Sequence, residues 1–521
     1  MKKVSKKILI SSSLVLLTLV GVTLCIDYAL FKPTKINSFI ASKIYKTSAN
    51  TAFTDENFYK CVIDAYNSNN NASFAYTESL TDEQLETIKH LNCNGYNKSD
   101  EEKIINVNGL EKLVNITELY LTDNLITNID LSNNKKIQEL RIDDNKLTNI
   151  IFDNNINLTW LTAYNNQLEN IDFINIPNLE ILYVGKNLFK NLDLSAGINL
   201  KKVYAYENNQ LTNITSNNNA YLLELDVHKA ALTNLNLIGA PNIVELCIDE
   251  NQLTSLDLSN NLSLEILSAS ENQITSLDLS NNKMLNSINI ENNKLITLVL
   301  GNNEKLEYLI AHNNQLSELN VSNNINLKKI NVSTNKIKVI DVSNNILLTD
   351  LLVSKNYLTN LNLNNNIALT TLYANNNKLE NLILGEIENL MYLYLSENQL
   401  IELDVSKNKK LVELSVDENQ LTKLNINGAT ALERLSVGFN QLNSLDVRTN
   451  SKLTTLYVPY NQLVELDVSK NTSLKSLYIY SNYFTENKGI YKNEKKKIIN
   501  NSSVILPISA TSTLSTIENP Y

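Results

Sequence analysis

Glycine and proline are scarce, with 11 Gly and 6 Pro in 521 residues, far below ordinary usage. Turns therefore fall to Asn, Asp and Ser, which tolerate left-handed backbone and hydrogen-bond their own main chain. No phosphate-cradling loop, nucleophile elbow or zinc signature is present. Histidine is nearly missing: His90, His228 and His312 are the only three. Four cysteines are too few for a disulfide scaffold, and none has metal-ligand spacing. Cys61 and Cys93 can be a disulfide or two buried thiols, and Cys247 stands alone on an outward strand position. Positive charge is in deficit, with 45 Lys and Arg against 55 Asp and Glu and a net charge of −10. That balance argues against a nucleic-acid groove, which needs a basic stripe.

What the chain does have is asparagine at a fixed interval. Asn124, Asn145, Asn166, Asn187 and Asn208 are followed by Asn251, Asn272, Asn293, Asn314, Asn335, Asn356, Asn377, Asn398, Asn419, Asn440, Asn461 and Asn482, at steps of 21. The one break adds a residue between Asn208 and Asn251, with Ala230 in the intervening slot. Counting that slot gives 18 units. Five residues before each Asn the chain is aliphatic (Leu119, Leu140, Leu161, Leu182, Leu246), and three before it aliphatic and often small (Leu121, Ile142, Ala163, Ala269). That alternation is a strand with two side chains inward. A short fixed period means each unit buries its apolar face against its neighbours. A second Asn commonly follows ten residues after the first, as at Asn134, Asn261, Asn282 and Asn345.

These residues resemble the leucine-rich repeat, L-x-x-L-x-L-x-x-N-x-L, in a bacterial 21-residue class with nested halves of 11 and 10. The stretch 253–282, LTSLDLSNNLSLEILSASENQITSLDLSNN, shows both halves. The resemblance implies a right-handed solenoid, with parallel strands on a concave face and short strands or turns on the convex one. It also implies that the Asn amides form a buried structural ladder. The recurring Asp (Asp257, Asp278, Asp341) reads as a turn cap or a solvated face, since no glycine-containing calcium loop accompanies it.

Four lysines precede an uncharged run from Ile8 to Ile26, long enough for export or for a bilayer span. Residues 1–31 are expected to be a signal anchor or signal peptide and 32–50 a stalk. The chain is placed as a single-pass protein of the cell membrane with its repeats outside; secretion is the alternative. Residues 51–115 are expected to form a helical cap, with one helix from Thr54–Glu56 and a second opening at Thr81 and running through Leu91. Two short helices before Gly109-Leu110-Glu111 resemble the N-terminal cap of internalin-like surface proteins. The solenoid is assigned to 116–484, and a closing cap and tail to 485–521.

On a solenoid, function is sought on the open side of the strands. Tyr183, Tyr204, Asp226, Tyr373, Tyr394, Tyr457 and Tyr478 occupy the central outward slot. Trp160, Tyr164, Tyr206, His228, Tyr392, Tyr460 and Tyr480 lie in adjacent ones. Exposed Tyr and Trp suit binding, because they offer large contact area at little rotamer cost. The competing explanation is packing between neighbouring strands. His228 and His312 lie four units apart, about 19 Å at roughly 4.8 Å per strand, too far for one site. The expectation is a monomeric, non-catalytic surface protein without cofactor or metal, binding a protein ligand in recognition or adhesion. A carbohydrate-binding module is the alternative, and a structural scaffold a weaker one.

Overall fold

The computed structural model describes residues 52–484 and the backbone of two later strands, Ile490–Lys492 and Lys496–Ile498. The apolar N-terminal run, the stalk and most of the tail lie outside the described residues.

The first helix, α1 (Glu56–Asn70), starts because Asp55 in extended backbone accepts from the N–H groups of Asn57 and Phe58. The second Asp55 oxygen accepts from Ile105 and Asn106, fixing the helix start to the chain that enters the repeats. Phe58, Tyr59, Val62 and Ile63 form its buried face. A disulfide joins Cys61 to Cys93, which resolves the choice the sequence left open. At α2 (Asp82–Leu85), Thr81 and Gln84 complete a capping box.

This second helix is shorter than its pattern suggests. It ends at Leu85, and Leu91 lies instead in a strand, β1 (His90–Asn92). β1 runs parallel to β2 (Glu118–Tyr120), the first strand of the repeats. Leaving β2 as an open edge would expose a row of unpaired backbone groups. Pairing satisfies them, with Cys93 N–H donating to Tyr120 O at 2.7 Å and Thr117 N–H to Lys89 O at 2.7 Å. A helix this short has little to set against that gain.

The repeats build a nineteen-stranded parallel sheet, β1 and eighteen more. Register follows the period, so that Leu267 lies opposite Ile288 and Ile288 opposite Leu309. In every strand of this sheet the middle side chain is buried. Burying one such aliphatic side chain is worth about 1.5–3 kcal/mol, but only because the next coil covers it. The opposite wall carries five two-stranded sheets and one three-stranded sheet among the described residues. Asp there caps its own turn: Asp257 accepts from Ser259 N–H and Asp278 from Ser280 N–H, both at 2.9 Å.

Asparagine binds coil to coil. The Asn314 amide donates to Ile290 O in the preceding coil at 3.0 Å and to Ala311 O at 3.2 Å, and its oxygen accepts from Leu295 N–H at 2.9 Å. A second row does a lesser job. Asn345 donates to Val321 O and Asn324 O, but its Oδ1 is buried without a donor. Before each ladder slot the backbone turns left-handed, from Asp123 to Ser481.

The membrane placement is corrected. Among the described residues no helix is long and apolar enough to cross a membrane, and the Ile8–Ile26 run lies outside them. The assignment as a single-pass protein is dropped.

Candidate binding face

The open side of the main sheet is organised in rows, because every outward slot recurs one strand away. At its N-terminal end the central row begins Tyr120, Arg141. The Arg141 guanidinium sits over the Tyr120 ring at 5.1 Å and the Trp160 ring at 5.5 Å. Glu139 neutralises it at 2.5 Å. Burial and the hydrogen bond to Glu118 hold the Tyr120 hydroxyl protonated, pushing its pKa up to about 12.

From there three rings stack in succession. Trp160 and Tyr183 have centroids 6.5 Å apart at 12°, and Tyr183 and Tyr204 are 4.3 Å apart at 13°. Tyr183 thus has a ring on each side. The ring faces point along the row, all three rings are half-buried, and the Trp160 Nε1 is buried. The Tyr204 hydroxyl donates to Glu224, which also pairs with Lys202 at 2.7 Å. Burial raises the Tyr204 pKa further than that of Tyr120.

A neighbouring row brings Tyr164, Tyr206 and His228 together. Tyr164 and Tyr206 lie 5.7 Å apart, with Gly185 between them, and a Cβ at Gly185 would meet both rings at 3.1 Å. Tyr206 stacks on His228 at 4.8 Å, and His228 Nδ1 lies 2.7 Å from Asp226. Tyr206 and His228 are 7% and 6% exposed, so these two outward slots carry buried side chains. Cys247, also an outward slot, is buried. Its sulfur approaches Asp226 and His228 to within 4.8 Å, a proximity across strands that sequence spacing does not show. His228 and Cys247 both have further partners, and the cluster is not read as a metal centre. Around it, Glu245 is pushed upward by burial and then by Glu224 and Asp226.

Further along, Tyr373 and Tyr394 stack at 4.4 Å and 14°, with Tyr392 in the strand of Tyr394. Near the last strands Tyr457 meets Tyr478 tilted at 5.6 Å, and its hydroxyl lies 3.1 Å from that of Tyr480. Tyr480 contacts Tyr460 edge-on, and Tyr460 stacks on Phe439 at 4.3 Å. Tyr460, expected in an outward strand slot, lies instead with Phe439 in the left-handed turn slot before the ladder Asn, a slot the strand pattern does not describe. The expected residues therefore fall into separate groups along the sheet, not into one pocket.

Comparison with solved structures decides the fold. A leucine-rich repeat protein of Leptospira interrogans matches at 21% identity, covering 69% of this chain and 88% of that one, with a TM-score of 0.50. The fold is that of the leucine-rich repeat proteins. The plant peptide hormone receptor RGFR1, solved in complex with RGF2, matches this repeat chain at 18% identity over 74% and 77% of the two chains, TM-score 0.50. The functional domain of InlJ from Listeria monocytogenes matches at 26% over 82% and 78%, TM-score 0.47. No protein-family profile matches the chain and no curated relative is found.

Proposed function

We propose that this leucine-rich repeat chain is a non-catalytic recognition scaffold, adhering to a protein on the surface of another cell. The observation that carries the reading is the stack Trp160–Tyr183–Tyr204 on the open side of a rigid sheet. Such a row presents half-exposed aromatic surface in fixed positions at little entropic cost, as protein hot spots do. It also favours protein over carbohydrate. A sugar stacks on a ring face, and here the Tyr183 faces are taken by its neighbours. The Cys61–Cys93 disulfide suits an oxidising environment, where such a partner is met. Eighteen strands at roughly 4.8 Å span about 85 Å, ample for a standard interface. RGFR1 with RGF2 is an instance of this fold holding a partner.

The test is binding of the purified full chain to candidate cells before and after surface proteolysis. A Trp160→Ala/Tyr183→Ala/Tyr204→Ala variant is measured beside it. Loss on proteolysis and in the variant supports the reading. Binding that survives proteolysis and yields to free polysaccharide replaces it with the glycan alternative. No binding to any surface leaves a structural scaffold.

A further inference from the structure

The left-handed slot recurs eighteen times from Asp123 to Ser481, seventeen times before a ladder Asn and once, at Lys229, before Ala230. Sixteen of these residues are charged, amide or hydroxyl types; the remaining two, Phe439 (φ 52°) and Tyr460 (φ 51°), are aromatic. Left-handed backbone crowds Cβ against the following carbonyl, and Asn or Asp relieves this by local hydrogen bonding. A bulky residue there is an outlier. Burial does not compensate, since the two rings are 43% and 46% exposed. Conformational cost combined with exposed apolar surface is the mark of a functional position.

The two rings stack at 4.3 Å and 17°, and Tyr480 abuts Tyr460 edge-on at 5.4 Å and 86°. One face of Phe439 is therefore covered by Tyr460. The other is turned toward the preceding rung, where Glu418 holds the same slot. Backbone bonds fix these as successive rungs: Glu418 N–H donates to Gly438 O, and Phe439 N–H to Pro459 O, both at 3.0 Å. Glu418 is exposed, as is Glu397 one rung earlier. Arg434, five residues before Phe439, is already engaged with Glu413. Among the described residues no cation pairs with Glu418.

We infer that the ridge Glu418–Phe439–Tyr460 is a second docking site, receiving an arginine side chain from an extended segment of a protein partner. A guanidinium matches both halves of the ridge, because it stacks on an aromatic face while bonding a carboxylate in its own plane. The chain itself contains this arrangement at the other end of the sheet. There Arg141 lies over the Tyr120 and Trp160 rings while pairing with Glu139. At the ridge, carboxylate and ring are present and the cation has to come from outside. The site is separate from the Trp160 strip and does not depend on it.

The experiment selects a displayed library of random dodecapeptides on the purified full chain. Selected peptides are then measured against a Phe439→Asn/Tyr460→Asn variant and a Glu418→Gln variant. The expected result is arginine enrichment, binding at least about tenfold weaker to either variant, and a further loss when the peptide arginine becomes lysine. The Asn variant should unfold at an equal or higher temperature, since Asn suits the left-handed slot. Three results would overturn the inference: no binder that depends on the ridge, binders without arginine, or an Asn variant that melts earlier. The last would make the rings structural.

Discussion

The backbone N–H of Leu211 donates to the carbonyl of Asn208 at 2.8 Å. In regular coils the equivalent N–H is held by the Asn of the following coil, as Leu232 is by Asn251 at 3.0 Å. For Leu211 that partner slot is occupied by Ala230, which has no acceptor. The extra residue after Asn208 bends the chain enough for Leu211 to find a main-chain acceptor instead. Pairing on the opposite wall then resumes with a step of 22, Asn213 opposite Asn191. Insertion and lost asparagine are thus one compensated event.

That coupling is testable by a double-mutant cycle. Deleting Asn209 alone should orphan the Leu211 N–H and cost about 1–3 kcal/mol. Ala230→Asn alone should gain little, because Leu211 is already satisfied. The two together should be more stable than their sum, by denaturant unfolding.

The two asparagine rows should differ in their contribution. Asn314→Ala leaves Leu295 N–H without an acceptor in a buried site and takes one of two donors from Ile290 O, which keeps Asn293 at 3.3 Å, costing about 1–3 kcal/mol. Asn345→Ala removes only the amide donors, as its oxygen has no donor to lose. It should cost clearly less by the same measurement. In both cases hydrogen exchange should rise mainly in the flanking coils.

Removing the cap disulfide should loosen the first coil before any other. Cys61 and Cys93 close a loop with a sequence separation of 32, for which chain entropy gives about 3–4 kcal/mol. A Cys61→Ser/Cys93→Ser variant should lose exchange protection at Leu91 and Leu119 first. The coils beyond Asn314 should keep theirs.

Two half-buried carboxylates should make stability fall as pH rises. Asp143 accepts from Thr162 Oγ1 at 2.6 Å and Tyr164 N–H at 2.8 Å, and Asp417 accepts from Ser436 Oγ and Gly438 N–H, each at 2.7 Å. Burial outweighs these bonds and pushes both carboxyls above their ordinary range. A folded-state pKa above the unfolded one contributes stability below the unfolded value. That contribution is lost as pH rises through the folded pKa. The turn-capping Asp278 and Asp341 are held low by their Ser partners and act with the opposite sign, losing stability as pH falls. Subtracting the profile of an Asp143→Asn/Asp417→Asn variant from that of the parent isolates the first effect. The parent should lose more stability on going from acid to neutral pH.

Asp55 at a helix start, Thr81 with Gln84 in a capping box, and Asn in all ladder slots but that of Ala230 were legible as residues. Each acts within a few positions of itself or at a fixed repeat distance. Leu91 was not legible. Its helical spacing is real, but pairing with Leu119 across 28 residues won, because an open strand edge costs more than a frayed turn of helix. Phe439 and Tyr460 share a left-handed turn slot that an outward strand pattern does not describe, so that pattern misplaces Tyr460 and omits Phe439.

Periodicity by itself determined the coil: which side chains point in, where each turn falls, and which residues share a row. A 21-residue repeat places the same chemistry at the same height in every coil, so one unit's solution is nearly every unit's. Only the tertiary structure decided what each row presents. Ring orientation, the burial of Tyr206 and His228, the pairing of Cys61 with Cys93 and the stacking of Phe439 on Tyr460 depend on contacts the pattern does not give. Those contacts involve side-chain rotation and local charge, which a linear pattern does not contain.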